Sequence, residues 1–99
     1  MKFSIFMMPL HHPTENPSLA FDRDISLIHY AEDLGYDEFF IGEHHSGGWE
    51  TMPAPEMALA KASAHAHRIR LGTLKQMWEI TQDEKLKYNI MQVELTVRA

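Results

Sequence analysis

The chain has 99 residues, 44% of them hydrophobic, no cysteine, and 9 Lys and Arg against 14 Asp and Glu, for a net charge of -5. That length suits one domain with one modest core. Net acidity argues against a general nucleic-acid binder, and the lack of cysteine excludes disulfides, thiolate metal sites and iron–sulfur clusters. The longest apolar stretch, Phe3 to Leu10, is interrupted by Ser4 and Pro9 and is too short to cross a bilayer. His11, His12 and Pro13 follow it where a signal peptide would need small residues. A cytoplasmic chain without membrane or nucleic-acid partners is expected.

Residues Phe3 to Met8 are rich in strand formers, and their near-continuous hydrophobicity predicts a strand covered on both faces. Pro9 and Pro13 close it, and a polar loop through Glu15, Asn16 and Pro17 follows. From Asp22 the period becomes helical, with Ile25, Leu27, Ile28, Ala31 and Leu34 on one side and Arg23, Asp24, Glu32 and Asp33 largely on the other. Gly35 supplies a left-handed helix end. Phe39–Ile41 reads as a second buried strand and Gly42 to Pro55 as a loop. Alanine and methionine with Pro55 at the start predict a helix over Glu56–His67, and Ile69–Gly72 reads as a third strand. The order β-α-β-α-β points to a parallel sheet in an α/β fold. Beyond Thr73 the rhythm lapses, although Asp83 to Glu94 could form a helix and Val93 to Val97 a strand.

Of the 7 histidines, four form two adjacent pairs, His11-His12 and His44-His45, each after the carboxyl end of a predicted strand. That edge carries the ligand site in parallel α/β architectures. Glu43 precedes the second pair, and strand alternation would turn His44 and His45 in opposite directions. A histidine there could act as general acid or base, help bind zinc or iron, or be a polar residue of a surface loop. Metal is disfavoured, because adjacent histidines are neither an i, i+4 helical pair nor a His-X-His strand pair. His29, His65 and His67 are read as structural, and the methionines, Met7, Met8, Met57 and Met77 among them, as adaptable core filler. There is no Gly-X-Gly-X-X-Gly, Walker-type loop or Gly-X-Ser-X-Gly elbow.

The segment Ile41-Gly42-Glu43-His44-His45-Ser46-Gly47-Gly48 carries a resemblance, together with Met1-Lys2-Phe3, Ala31 to Asp37 and Arg68 to Thr73. Residues 1–73 resemble the luciferase-like flavin-dependent monooxygenases, most closely their limonene-monooxygenase-like branch. The resemblance implies the first part of an eight-stranded (β/α) barrel. It also implies reduced flavin mononucleotide (FMN) from a separate flavin reductase, with molecular oxygen used to oxygenate a small apolar substrate such as an aldehyde or terpene. It carries the catalytic role onto His44, beside the reactive edge of the flavin, where an imidazole can stabilise a developing anion and move protons. Glu43 and His45 would support it, and Met8 and Thr73 would contact the cofactor. No metal site is expected.

Residues 74–99 depart from the family pattern, starting with Leu74-Lys75-Gln76-Met77-Trp78-Glu79, as a frameshifted, fused or otherwise divergent tail would. A whole barrel needs about 250 residues and builds its phosphate site mainly after its last strands. Activity from these 99 residues alone is therefore not expected. The competing readings are a non-catalytic truncated fragment or interaction module, and a small metal-dependent hydrolase using the paired histidines. An open strand edge predicts marginal stability or homo-oligomeric self-association.

Overall fold

A computed structural model describes residues 1–73. The expected helix over residues 83–94 and strand over 93–97 lie outside the described residues. The elements are β1 (Ser4–Met7), α1 (Pro17–Asp33), β2 (Glu38–Ile41), α2 (Pro55–Ser63) and β3 (Arg70–Thr73). The strands form one parallel sheet in the order β1-β2-β3, so the expected alternation of strands and helices is what the chain folds into. Register is continuous across it, with Phe6 beside Phe40 and Phe40 beside Gly72.

Two helix boundaries and the burial of one strand differ from expectation. Helix α1 begins at Pro17 rather than Asp22, because the Asn16 side chain accepts from the Ser18 and Leu19 N–H groups and proline suits the first turn. Helix α2 stops at Ser63, leaving His65 and His67 beyond its end. The His67 N–H instead meets the Glu32 carboxylate at 2.9 and 3.0 Å, and the Arg68 N–H meets it at 2.7 Å. Strand β1 is only half-buried rather than covered on both faces, because it is an outer strand of the described sheet.

The core lies between the sheet and its helices. Phe39 and Ile41 of β2 pack with Ile25, Ile28 and Ala31 of α1, Ala62 of α2, and Met52 and Ile69. The buried face of α1 is only in part the one the apolar spacing suggests. Ala20, Asp24, Ile25, Ile28 and Ala31 are buried, whereas Leu27 and Leu34 are exposed. Leu27, Tyr30 and Leu34 instead flank a groove of about 300 Å³ against Ile5, Met7 and Phe39. Met57, expected as core filler, is also exposed, while Met7 packs on the core and Met8 is half-buried. Gly35 adopts a φ of +89°, the left-handed conformation that glycine accepts without steric cost. No helix of the described residues is long and apolar enough to cross a membrane.

Candidate functional site

The carboxyl ends of the strands align as one row, Met7 beside Ile41 and Ile41 beside Thr73. Met8 and Gly42 come next, and the Gly42 N–H donates to the Met7 carbonyl at 2.9 Å, extending the ladder by one bond. A Cβ on Gly42 would stand 2.4 Å from Met8 Sδ and 3.2 Å from Phe6 Cζ. The missing side chain therefore lets the thioether lie against the backbone at the end of β2.

Strand β2 ends at Ile41, so Glu43, His44 and His45 belong to the following loop, and strand alternation does not set their directions. Their partners do. His45 Nε2 donates to Glu43 Oε1 at 2.6 Å, an exposed pair between near neighbours. His44 Nδ1 lies 2.9 Å from Glu50 Oε2. The two rings thus take different acids, one local and one from across the loop.

The loop folds back on itself to make this contact. The His44 N–H donates to the Met52 carbonyl at 2.9 Å, and Ser46 turns the chain with a φ of +58°. At Gly47 a Cβ would stand 2.9 Å from both the Glu50 carbonyl oxygen and His44 Cδ2, so the close return requires glycine there. The loop is also stitched to the one after β1. Leu10 and Glu50 form an antiparallel bridge, the His11 N–H donates to the Trp49 carbonyl at 2.7 Å, and His12 meets the Trp49 ring edge-on.

The two histidine pairs differ in environment. His11 is buried and not the surface-loop residue its sequence context suggests. Its Nε2 meets Asp24 Oδ2 at 2.7 Å and its Nδ1 meets Thr51 Oγ1 at 2.7 Å. Asp24 is equally buried, although the sequence reading puts it largely on the solvent side of α1. Burial raises its carboxyl above the ordinary carboxylate value, and the His11 hydrogen bond opposes that rise. His12 stays exposed and bonds Thr14. Sequence reasoning missed Asp24, Glu50 and Thr51. Only Asp24 left a signal, its four-residue spacing from Ala20 and from Ile28 on the buried stripe.

Residues 1–74 match the family model for luciferase-like monooxygenases. The chain belongs to that family. The 4-hydroxyprotoasukamycin monooxygenase of Streptomyces nodosus subsp. asukaensis is 44% identical over 73 residues, which are 74% of this chain and 20% of that protein. The limonene 1,2-monooxygenase of Rhodococcus erythropolis is 40% identical over 70 residues, or 71% of this chain and 18% of that one. Among solved structures, the oxygenating constituent of the Pseudomonas putida 3,6-diketocamphane monooxygenase, in complex with FMN, is 28% identical with a TM-score of 0.70. That match covers 75% of this chain and 20% of the solved one, so this luciferase-like chain spans about a fifth of the length of the relatives it matches.

A flavin presents two different demands, and the described residues of this family member meet one. Met8 and the bare backbone of Gly42 offer a soft, apolar wall at the sheet edge that suits a flat ring system, with the imidazole and carboxylate groups of the next loop beside it. Cationic side chains, one means of holding the phosphate, lie elsewhere among the described residues. Arg70 and Arg68 approach Glu38 and Asp37 at the opposite edge of the sheet, Lys61 pairs with Asp22, and Arg23 pairs with Glu15. The described residues suit the ring and bring no paired Arg or Lys to that edge. Nor do three or more His, Asp or Glu among them converge as metal ligands.

Proposed function

We propose that this chain contributes the first β/α units of a flavin-dependent monooxygenase barrel, one wall of a site that oxygenates a small apolar molecule. Reduced FMN, supplied by a separate flavin reductase, would bring the capacity to activate molecular oxygen. Met8 and Thr73 at the strand ends bind the ring side of the cofactor. His44 is the catalytic acid–base, holding and returning a proton at a ring nitrogen and donating to negative charge as it develops. Glu43 and His45 support it from the same loop. One observation carries this reading: the His44–Glu50 contact stands at the carboxyl edge of a parallel sheet in a chain of this family.

The test is a chimera in which residues 1–73 replace the corresponding segment of limonene 1,2-monooxygenase. With reductase, reduced FMN and limonene, it should form oxygenated product. His44→Ala should leave flavin binding intact and cut product formation about a hundred- to ten-thousand-fold, with a smaller loss for His45→Ala. Full turnover in the His44 variant, or greater damage from His45→Ala, would reject the assignment. The 99-residue chain alone should turn over nothing. The outer edge of β1 among the described residues favours a second reading, a non-catalytic module that pairs with other copies of itself.

A further inference from the structure

Glu50 lies outside every motif that singles out His44, yet it meets that ring, and its neighbour Thr51 joins a buried cluster. Glu50 Oε2 stands 2.9 Å from His44 Nδ1. The contact is an ion pair and not an aligned hydrogen bond, but a negative charge that close favours the proton on the nearer nitrogen, Nδ1. Free imidazole side chains in water prefer the opposite arrangement, with the proton on Nε2. A placed carboxylate reverses that preference, as it does wherever an acid orients a histidine.

The loop is held where it can do this. Thr51, the residue after Glu50, bonds His11 Nδ1, and His11 Nε2 bonds Asp24 on α1, both at 2.7 Å. The Asp24 carboxylate accepts from Nε2–H, so a neutral His11 has a lone pair on Nδ1 and the Thr51 hydroxyl donates to it. These bonds, with the Leu10–Glu50 bridge, tie the Glu50 backbone to a helix and to the end of β1. An exposed ion pair by itself is worth little and fluctuates, but a fixed backbone lowers the entropy it must give up.

We propose that Glu50 is a positioning residue for His44. It holds the ring as the Nδ1–H tautomer and leaves Nε2 as the nitrogen that exchanges a proton at the sheet edge, and the His11–Asp24–Thr51 cluster is its anchor. This deepens the reading of His44 as the acid–base and rests on it. The tautomer itself is a property of the chain without cofactor and can be read separately.

The experiment is nitrogen–proton correlation spectroscopy of the full chain with 15N-labelled histidine, at a pH where His44 is neutral. Wild type should show His44 mainly as Nδ1–H. Glu50→Ala should shift the ratio toward Nε2–H by about two- to fivefold, the equivalent of one exposed ion pair. Glu50→Gln keeps an acceptor without the charge and should fall between them. Thr51→Val, which removes only the hydroxyl, should weaken the preference while Glu50 remains. A wild-type ring already mainly Nε2–H, or a ratio unchanged in Glu50→Ala and Glu50→Gln, overturns the proposal. An unchanged ratio in Thr51→Val removes the anchor. Should the chimera fail to oxygenate while the tautomer responds as described, the flavin reading falls and the positioning stands.

Discussion

Removing His11 should expose what the buried cluster contributes to the fold. The His11 and Asp24 side chains are each only 5% exposed, so His11→Ala leaves a buried carboxylate without its partner. Breaking such a pair costs about 3–5 kcal/mol. Residues 1–73, at ordinary stability per residue, would have about 4–11 kcal/mol in total, so the loss consumes much of it. The pH dependence follows from Asp24. Burial raises its carboxyl, and His11 opposes the rise, so the variant raises it further. A carboxyl raised in the folded state favours folding most below its unfolded pKa of about 3.9, and that contribution is lost as pH rises through the folded value. The His11→Ala deficit should therefore be larger near pH 7 than on the acid side. Adding Asp24→Asn removes the charge and should return about 2 kcal/mol, the difference between an unpaired buried charge and an unpaired buried amide. Urea unfolding of the full chain, followed by far-ultraviolet circular dichroism near neutrality and in mild acid, measures each quantity. A deficit under about 1 kcal/mol, or one equal at both acidities, would refute the argument.

The Glu32 carboxylate ties α1 to the segment before β3. Desolvation raises its pKa, but the N–H groups of Arg68 and His67 and the charges on their side chains outweigh that and hold it below the ordinary value. A lowered carboxyl stabilises the fold above its unfolded pKa and loses that contribution as pH falls through the folded value. Glu32→Gln should thus be less stable than wild type at neutral pH and converge with it in acid, as thermal melts across pH would show. Self-association should fall in a Leu27→Ser, Tyr30→Ser, Leu34→Ser triple variant, because these exposed residues flank the open groove beside β1. Sedimentation velocity over a concentration series checks this, and a wild-type chain that stays monomeric throughout contradicts it.

The alternation of elements was legible because the hydrophobic period changes at identifiable residues. Phe39 and Ile41 are buried as their apolar character implies, and Gly35 ends the helical segment with a positive φ. The start of α1 was harder to read because Pro17 to Ala20 shows little apolar periodicity, although Asn16 and Pro17 are a cap and a first-turn residue in sequence. Leu27 looked buried and Asp24 exposed for one reason: hydrophobicity reports what a face prefers, not what it meets. Asp24 is buried because His11, 13 residues earlier, satisfies it, and that pairing exists only once the loop after β1 has packed on α1. The motif around His44 was visible as residue types and spacing. Glu50 was not, since a loop return closed by Gly47 and Ser46 has no period to detect.

The sheet divides its work along the strand direction. At the amino end, Ser4, Glu38 and Arg70 share one register row, with the Ser4 hydroxyl donating to Glu38 at 2.6 Å and Arg70 approaching Glu38 at 3.7 Å. The next row on that face is Phe6, Phe40 and Gly72, and beyond it come Met8 and Gly42. Polar, aromatic and then soft apolar groups succeed one another toward the loops, as side-chain layers do inside a parallel barrel. The charged row lies at the end that only connects elements, where Glu38 and Arg70 can satisfy each other. The titratable groups at the other end are held differently. His44 and Glu50 are half-exposed and rest on a loop pinned through Thr51 to a buried pair. A rigid support beneath an accessible imidazole is what proton transfer requires, because the ring must meet both a fixed partner and an arriving group. That contrast, rather than the number of histidines, is what the proposed role of the carboxyl edge rests on.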